Sequence, residues 1–252
     1  MRILFVQLPL LDHSYSYLLG NVEYAPSSLI AYLHFKVDPS IQCETLPSAI
    51  SNFASTRVIT EYIVSINPDM LCFTCYLWNI ERNITLAREV KRLCPNTTIV
   101  MGGPEIHESS WALTGPNGSV SCFFSGEGEW FFQKYFSGAA LDPYTRSING
   151  NALIIQPNNQ PLRAEDIIEP FTRRYRNPVA DGSIFLEMTR GCPYRCSYCY
   201  YSKNCPTIRE QPFDTLLDAI ALRHTWDLSE IYILSPTFNK TPHFIDKLDR
   251  LA

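Results

Sequence analysis

The sequence predicts an α/β protein with a doubly wound parallel sheet in its first part and the start of a second α/β unit in its last part. Short apolar runs alternate with longer segments of helical period, which is typical of strands joined by helical crossovers. A proline-rich stretch at residues 141–181 interrupts this alternation, which resumes at residue 184. A chain of 252 residues with 46% hydrophobic residues can bury one compact domain and part of a second.

In chain order, the first part predicts five strands and four helices. Apolar runs predict strands at residues 2–7, 41–46, 69–77, 97–103 and 119–124. Segments of helical period predict helices at residues 25–35, 55–66, 81–94 and 127–136. Regular alternation of this kind implies right-handed crossovers and a parallel sheet covered on both faces. We therefore predict a first domain at residues 1–140.

Residues 141–181 are predicted to be a linker or wrap that holds one strand, "ALIIQ" at 152–156. The second domain, residues 182–252, begins with a strand at 184–189. A helix at 212–226 follows, with Phe213, Leu216, Leu217 and Ile220 on one apolar face. A strand at 230–234 and a helix from Pro242 complete about two strand–helix units.

Composition excludes several classes of protein. The net charge is -4 with both signs interspersed, so we expect neither nucleic-acid binding nor attraction to an anionic membrane. The apolar start "MRILFVQLPLL" is followed by charged residues without a signal-peptide cleavage site, and no run approaches the roughly 18 residues of a membrane span. The nine cysteines are an odd number and several lie in apolar runs, which favours a reducing cytoplasm.

Three cysteines, Cys192, Cys196 and Cys199, lie within eight residues of "RGCPYRCSYCYY". Thiolates are the ligands of iron–sulfur clusters, and three of them would leave one iron of a four-iron cluster open for a further ligand. A zinc knuckle without its fourth ligand and a set of free thiols are the alternatives. Cys205 is a less natural fourth sulfur, because Pro206 and a six-residue gap separate it from the triplet. The pair Cys72 and Cys75 is expected to point to opposite faces of a strand and to pack in the core.

The triplet, with an aromatic residue before its last cysteine, resembles the signature of the radical S-adenosylmethionine (SAM) enzymes. The resemblance implies that Cys192, Cys196 and Cys199 hold a [4Fe-4S] cluster and that Tyr198 lies beside the adenine of SAM. It also implies that the open iron chelates SAM and that reductive cleavage gives a 5'-deoxyadenosyl radical. Arg190, Arg195 and Lys203 flank the triplet and would favour an anionic cluster, or they are ordinary solvated charges.

Further motifs narrow this resemblance. "VMGGPE" (100–105) ends a predicted strand with two glycines, where the backbone must approach another group closely, and "SGEGEWFF" (125–132) joins a predicted strand to a helix. Both lie at the carboxyl ends of strands, where ligands bind in open α/β sheets. With "CYLWN" (75–79) and "SPTFN" (235–239), they resemble the cobalamin-binding subfamily, although Gly-Gly-Pro alone is an ordinary turn and Glu127 and Glu129 alone complement a helix dipole. The resemblance implies a Rossmann-like cobalamin-binding domain followed by a partial radical SAM barrel. The implied corrin contacts are Leu8, Tyr76, Trp78, Asn79, Gly102, Gly103, Pro104, Glu105, Gly126, Glu127 and Gly128.

Three features depart from the patterns of related families. Asp12 and His13 are adjacent, so the Asp-x-His-x-x-Gly motif that ligates cobalt in cobalamin mutases is not formed. Ser235 stands where an aspartate is more typical. The third departure is the short second part, since the family's barrel has about six strand–helix units.

The implied function is reductive cleavage of SAM for methyl transfer to an unactivated carbon. Radical rearrangement with the same cofactors is an alternative, and a cofactor-binding fragment or sensor without turnover is another. The expected partners are a small-molecule or peptide substrate and an external electron donor of the flavodoxin or ferredoxin type. The residues named above do not identify the substrate.

Overall fold

The structure is a computed structural model that describes residues 1–10, 21–114, 118–179, 181–199, 201, 205, 207–241 and 244–250. The chain forms two compact units, Met1–Pro161 and Leu162–Ala252. The predicted linker at 141–181 is thus divided between the units. Its first part joins the first unit because it pairs with the sheet there, as described below.

Seven strands form the sheet of the first unit, in the spatial order β2-β1-β3-β4-β5-β7-β6. All neighbours are parallel except β6 and β7. The order reverses between β1 and β3, which makes the carboxyl ends of these two strands a topological switch point. The strands are β1 (Arg2–Val6), β2 (Gln42–Thr45), β3 (Met70–Thr74), β4 (Thr98–Gly102), β5 (Cys122–Ser125), β6 (Thr145–Ile148) and β7 (Asn151–Ile155).

Helices cover both faces of this sheet, as the doubly wound fold predicts. Alternate strand residues enter two separate cores: Leu4 and Val6 face the helices at residues 56–66 and 80–93, whereas Ile3 and Phe5 face the helices at residues 24–32 and 128–136. The helices are α1 (Tyr24–Tyr32, continued by a π-helical turn at Leu33–Val37), α2 (Ser48–Phe53), α3 (Thr56–Ile66), α4 (Ile80–Leu93) and α5 (Gly128–Phe136).

Two elements of the first unit were not predicted. Helix α2 is only six residues long, too short to show a helical period. Strand β6 forms a hairpin with β7 through Asn149 and Gly150, which both have positive φ (50° and 81°). Asn-Gly at these two positions is a strong hairpin signal, so the sequence did contain the information.

The second unit contains a parallel pair of strands, β8 (Ser183–Leu186) and β11 (Glu230–Ile233). A separate antiparallel pair joins β9 (Thr189–Arg190) and β10 (Arg209–Glu210). The predicted strand 184–189 is therefore broken after Leu186. The predicted helix 212–226 is also divided, into α6 (Asp214–Ala221) and α7 (Arg223–Trp226), and α8 (Phe244–Asp249) follows β11.

The most buried residues of the second unit lie on β8, in the segment between β8 and β9, and on α6. Leu186, Met188, Leu216 and Ala219 are at most 2% exposed. In the part of the chain that the structure describes, no helix is long and apolar enough to cross a bilayer.

Candidate functional site

The predicted corrin contacts all lie at the carboxyl edge of the first sheet. Leu8 follows β1, and Tyr76, Trp78 and Asn79 follow β3. Gly102 ends β4 and the loop after it holds the residues from Gly103 to Glu105, whereas Gly126 and Glu127 form the loop between β5 and Gly128, the first residue of α5. Because these strands are neighbours in a parallel sheet, the fold gathers the four loops along one edge.

Asn79 joins two of these loops across the switch point. Its Nδ2 donates to the carbonyl of Leu8 at 3.0 Å, and its Oδ1 accepts from the backbone N–H of Tyr76 at 2.8 Å. The same oxygen accepts from Nδ2 of Asn83 at 3.2 Å. Asn79 is 1% exposed, so its amide supports the loops from within, and Leu8 is equally buried. Direct contact of these two side chains with a corrin stays a prediction.

Gly103 lets the β4 loop lie directly against the β3 loop. Its φ is +112°, and a Cβ there would lie 2.7 Å from the carbonyl oxygen of Cys75 and 2.8 Å from its nitrogen. Only glycine fits this backbone and this approach. The loops are then joined by hydrogen bonds from Cys75 N–H to the Gly102 carbonyl (2.6 Å) and from Glu105 N–H to the Cys75 carbonyl (3.2 Å).

Gln156 is a site residue that the sequence analysis missed. It follows β7, and its Oε1 accepts from the backbone N–H of Glu127 at 2.7 Å while its Nε2 lies 3.3 Å from Oε2 of Glu127. A Cβ on Gly126 would lie 2.6 Å from Oε1 of Gln156. The signal for Gln156 was its place at the end of the predicted strand "ALIIQ", but its partner is 29 residues away in sequence.

The outer part of this edge is apolar. Leu77 is 76% exposed and Trp78 is 50% exposed, and the Trp78 ring stacks on Tyr76 at 4.6 Å between centroids. Burial raises the pKa of Tyr76. Pro104 and Gly126 are also exposed here. An exposed apolar surface beside backbone amides fits a flat macrocycle with polar groups on its rim. Asp12 and His13 lie outside the described residues.

Gly128 has a different role from the other predicted contacts. A Cβ at this position would lie 2.8 Å from Cδ2 of Leu29 in α1. The missing side chain therefore allows the start of α5 to pack closely on α1.

In the second unit, the three cysteines lie on a loop that we call the cysteine loop (residues 191–199), directly after β9. Cys196 is exposed, and Cys192 and Cys199 are partly exposed. The N–H of Cys199 donates to the Cys196 carbonyl at 3.0 Å. Tyr198 is 90% exposed, and a hydrogen bond with the Cys196 thiol raises its pKa.

The donor chemistry of the cysteine loop fits an iron–sulfur cluster, since it offers three free thiols and no carboxylate between them. Within the described ranges, however, no three His, Cys, Asp or Glu side chains are grouped closely enough to hold a metal ion. The cluster ligands Cys192, Cys196 and Cys199 therefore stay a prediction. Cys72 and Cys75 belong to the two opposite cores, as expected for packing residues.

Arg190 does not offer a free charge to this loop. It binds Glu187 in a bidentate ion pair, with Nε–Oε1 at 2.9 Å and Nη2–Oε2 at 2.7 Å, and both side chains are at least 85% buried. A pair of this geometry is strong and orients both groups. Arg195 is exposed, and Lys203 lies outside the described residues.

Among the residues that the structure describes, several buried hydroxyl groups that have no hydrogen-bond partner lie just beyond the carboxyl ends of β8 and β11. They are Oγ1 of Thr189, Oγ of Ser235 and Oγ1 of Thr237. A buried hydroxyl that lacks a partner costs free energy, so such groups are candidates for binding a polar ligand. This position is the ligand-binding edge of parallel strands, which fits a polar cofactor such as SAM.

Glu169 is a buried acid in the same unit, 4% exposed. Its Oε2 accepts from the N–H of Thr172 at 2.6 Å. Burial raises its pKa to about 7, and the neighbouring Glu187 adds to this shift.

Sequence comparison identifies curated relatives of this chain, although no family model matches it. It is 27% identical over 208 residues to the cobalamin-dependent radical SAM methyltransferase TokK of Streptomyces tokunonensis, covering 74% of this chain and 30% of TokK. It is 26% identical over 207 residues to the 2-(S-pantetheinyl)-carbapenam-3-carboxylate methyltransferase of Streptantibioticus cattleyicolor, with the same coverage. The hopanoid C-3 methylase of Methylococcus capsulatus is 28% identical over 52% of this chain and 28% of its own length.

Solved structures have the same fold. The radical SAM methyltransferase TsrM from Kitasatospora setae matches with a TM-score of 0.71 and 14% identity, over 99% of this chain and 50% of TsrM. The cobalamin-dependent SAM radical enzyme OxsB matches with a TM-score of 0.66 and 14% identity, over 98% of this chain and 36% of OxsB. These findings confirm both the predicted fold and the resemblance to cobalamin-binding radical SAM enzymes. The chain spans about 30% of the length of the first two curated relatives.

Proposed function

We propose that this chain, a relative of cobalamin-dependent radical SAM methyltransferases, binds cobalamin in its first unit and a [4Fe-4S] cluster and SAM in its second. The reaction we assign is methyl transfer to an unactivated carbon of a small-molecule or peptide substrate. A flavodoxin or ferredoxin type of protein would supply the electron, in a reducing cytoplasm. The observation that carries this proposal is the cysteine triplet at the carboxyl side of a parallel α/β unit, in a chain whose curated relatives are methyltransferases.

In the first unit, the proposal assigns the cofactor to the edge built by the β1, β3, β4 and β5 loops. Trp78 would cover an apolar face of the corrin, and the backbone amides of the Gly103 and Gly126 loops would bind its rim. Asn79 and Gln156 hold these loops in place by the hydrogen bonds described above. No residue of the mutase histidine motif enters this assignment.

In the second unit, Cys192, Cys196 and Cys199 would hold the cluster, and Tyr198 would lie beside the adenine of SAM. When bound, the cluster supplies the electron that cleaves SAM, and cobalamin supplies the methyl group. Thr189, Ser235 and Thr237 have buried hydroxyl groups that are available to the polar groups of SAM. The Glu187–Arg190 pair fixes the segment that leads into the cysteine loop.

Cluster reconstitution tests this proposal. Anaerobically reconstituted chain is expected to hold about four irons and four sulfides, because the three thiolates of the cysteine loop would bind three of the irons of one cluster. Cys192→Ala is expected to abolish the cluster, whereas Cys72→Ala, in the buried core of the first unit, is expected to retain it. An intact cluster in a variant with all three cysteines replaced by alanine would contradict the assignment.

Cobalamin binding is tested on the same preparations. Hydroxocobalamin is expected to bind without a protein nitrogen ligand, because the mutase histidine motif is not formed. Visible and paramagnetic resonance spectra report the ligand of cobalt. Failure to bind any corrin would leave a domain that has the fold without the ligand.

A further inference from the structure

The two ends of the cysteine loop are tied together by a side chain. Gly191, the residue before the first cysteine, donates its N–H to the hydroxyl oxygen of Tyr201 at 3.0 Å. Tyr201 lies two residues after the last cysteine of the triplet. This hydrogen bond therefore spans all three candidate cluster ligands.

Two backbone hydrogen bonds also hold the ends of the cysteine loop together. Cys192 donates its N–H to the carbonyl of Cys205 at 2.9 Å, and Cys205 donates its N–H to the carbonyl of Tyr201 at 3.2 Å. Tyr201 thus accepts one hydrogen bond from each side of the loop, through its hydroxyl and through its carbonyl.

Gly191 has little freedom to turn away from Tyr201. Its φ is +101°, and a Cβ at this position would overlap the carbonyl oxygen of Thr207, because the chain passes directly against the backbone of that residue. Gly191 is buried, whereas residues 193–198 are exposed. The cysteine loop therefore has a fixed base and an exposed tip.

We infer that Tyr201 is a positioning residue for the cluster ligands: its hydroxyl holds the start of the cysteine loop against its end and so sets Cys192 relative to Cys199. This inference rests on the proposed function, because the group that the loop would hold is the iron–sulfur cluster. Tyr201 acts through the backbone of Gly191 and contributes no ligand. Loss of its hydroxyl loosens the base while the aromatic ring remains.

The first test is amide hydrogen exchange on the chain without a cluster. The Gly191 amide is expected to be protected in the wild type and to exchange at least tenfold faster in Tyr201→Phe, while the Cys192 amide, bonded to Cys205, stays protected. The control is Tyr194→Phe, the same chemical change on the same loop at a side chain that is 46% exposed. A wild-type Gly191 amide that exchanges as fast as those of residues 194–198 would overturn the inference, whether or not Tyr201→Phe folds.

The second test follows the cluster in the full chain. Tyr201→Phe is expected to release iron to a chelator at least threefold faster than the wild type and Tyr194→Phe, and to change the paramagnetic resonance line shape of the reduced cluster. Equal release rates and spectra in all three proteins would refute the inference and leave the proposed function standing. If the wild type takes up no cluster, the proposed function fails, and this inference fails with it.

Discussion

Glu169 shows how one buried residue makes stability depend on pH. Its pKa is raised from 4.5 to about 7, chiefly by burial, so the folded chain binds a proton there that the unfolded chain has released. Stability is therefore full below about pH 4.5 and falls as the pH rises through about 7. Glu187 is the charged neighbour that strengthens this effect.

Glu169→Gln is expected to remove most of this loss and to stabilise the second unit at pH 8 by up to ~3 kcal/mol, because a neutral amide carries no charge to bury. Urea unfolding at pH 5 and pH 8 measures the effect. Glu165→Gln, at an exposed side chain, is the control and is expected to change stability by less than ~0.5 kcal/mol. Equal pH dependence in Glu169→Gln and the wild type would show that Glu169 does not titrate in this range.

Gly102 and Gly103 form a matched pair at adjacent positions, the last residue of β4 and the first residue of the loop after it. Gly103→Ala is expected to destabilise the first unit by about 2–3 kcal/mol, because the new Cβ meets the Cys75 backbone in a conformation that alanine disfavours. Gly102→Ala is expected to cost less than about 1 kcal/mol, since its nearest neighbours lie 3.7 Å away. Denaturant unfolding without cofactors compares the two. Equal costs would contradict the close approach of the β3 and β4 loops.

At the scale of elements, Asn79 links β1, β3 and α4 at the switch point of the sheet. Its buried amide makes three hydrogen bonds: it donates one to the Leu8 carbonyl and accepts one each from the Tyr76 N–H and the Asn83 side chain. The carboxyl ends of β1 and β3 hence form one unit with the start of α4. A ligand at this edge would meet loops that are already held in place.

Asn79→Ala is expected to destabilise the first unit by about 3 kcal/mol, because it leaves the Tyr76 N–H and the Leu8 carbonyl without this partner. The exposed Asn96, replaced by alanine, is the control and is expected to cost less than about 0.5 kcal/mol. Thermal and denaturant unfolding give both values. Equal stability of the two variants would show that water satisfies the Leu8 carbonyl and the Tyr76 N–H as well as the Asn79 amide does, and that Asn79 does not stabilise the link between β1 and β3.

At the scale of the whole molecule, the chain has two units that each possess a core. Gly103→Ala is therefore expected to speed amide exchange in peptides of residues 1–161, and Glu169→Gln to slow it at pH 8 in peptides of residues 162–252. In the double variant the two effects are expected to add. A change in the exchange of both units from either single substitution would show that the units unfold together.

The sequence by itself determined the doubly wound sheet, the order of its main strands and helices, and the cysteine triplet, because hydrophobic periodicity and short-range spacing encode these features directly. It also indicated Gly103, since two glycines after a strand imply a close backbone approach. Only the tertiary structure decided that Gln156 holds the Gly126 loop and that Asn79 is buried. The tertiary structure also pairs Arg190 with Glu187 and buries Glu169. The physical reason is that side-chain partners and burial follow from the register of elements distant in sequence, which a local pattern does not contain.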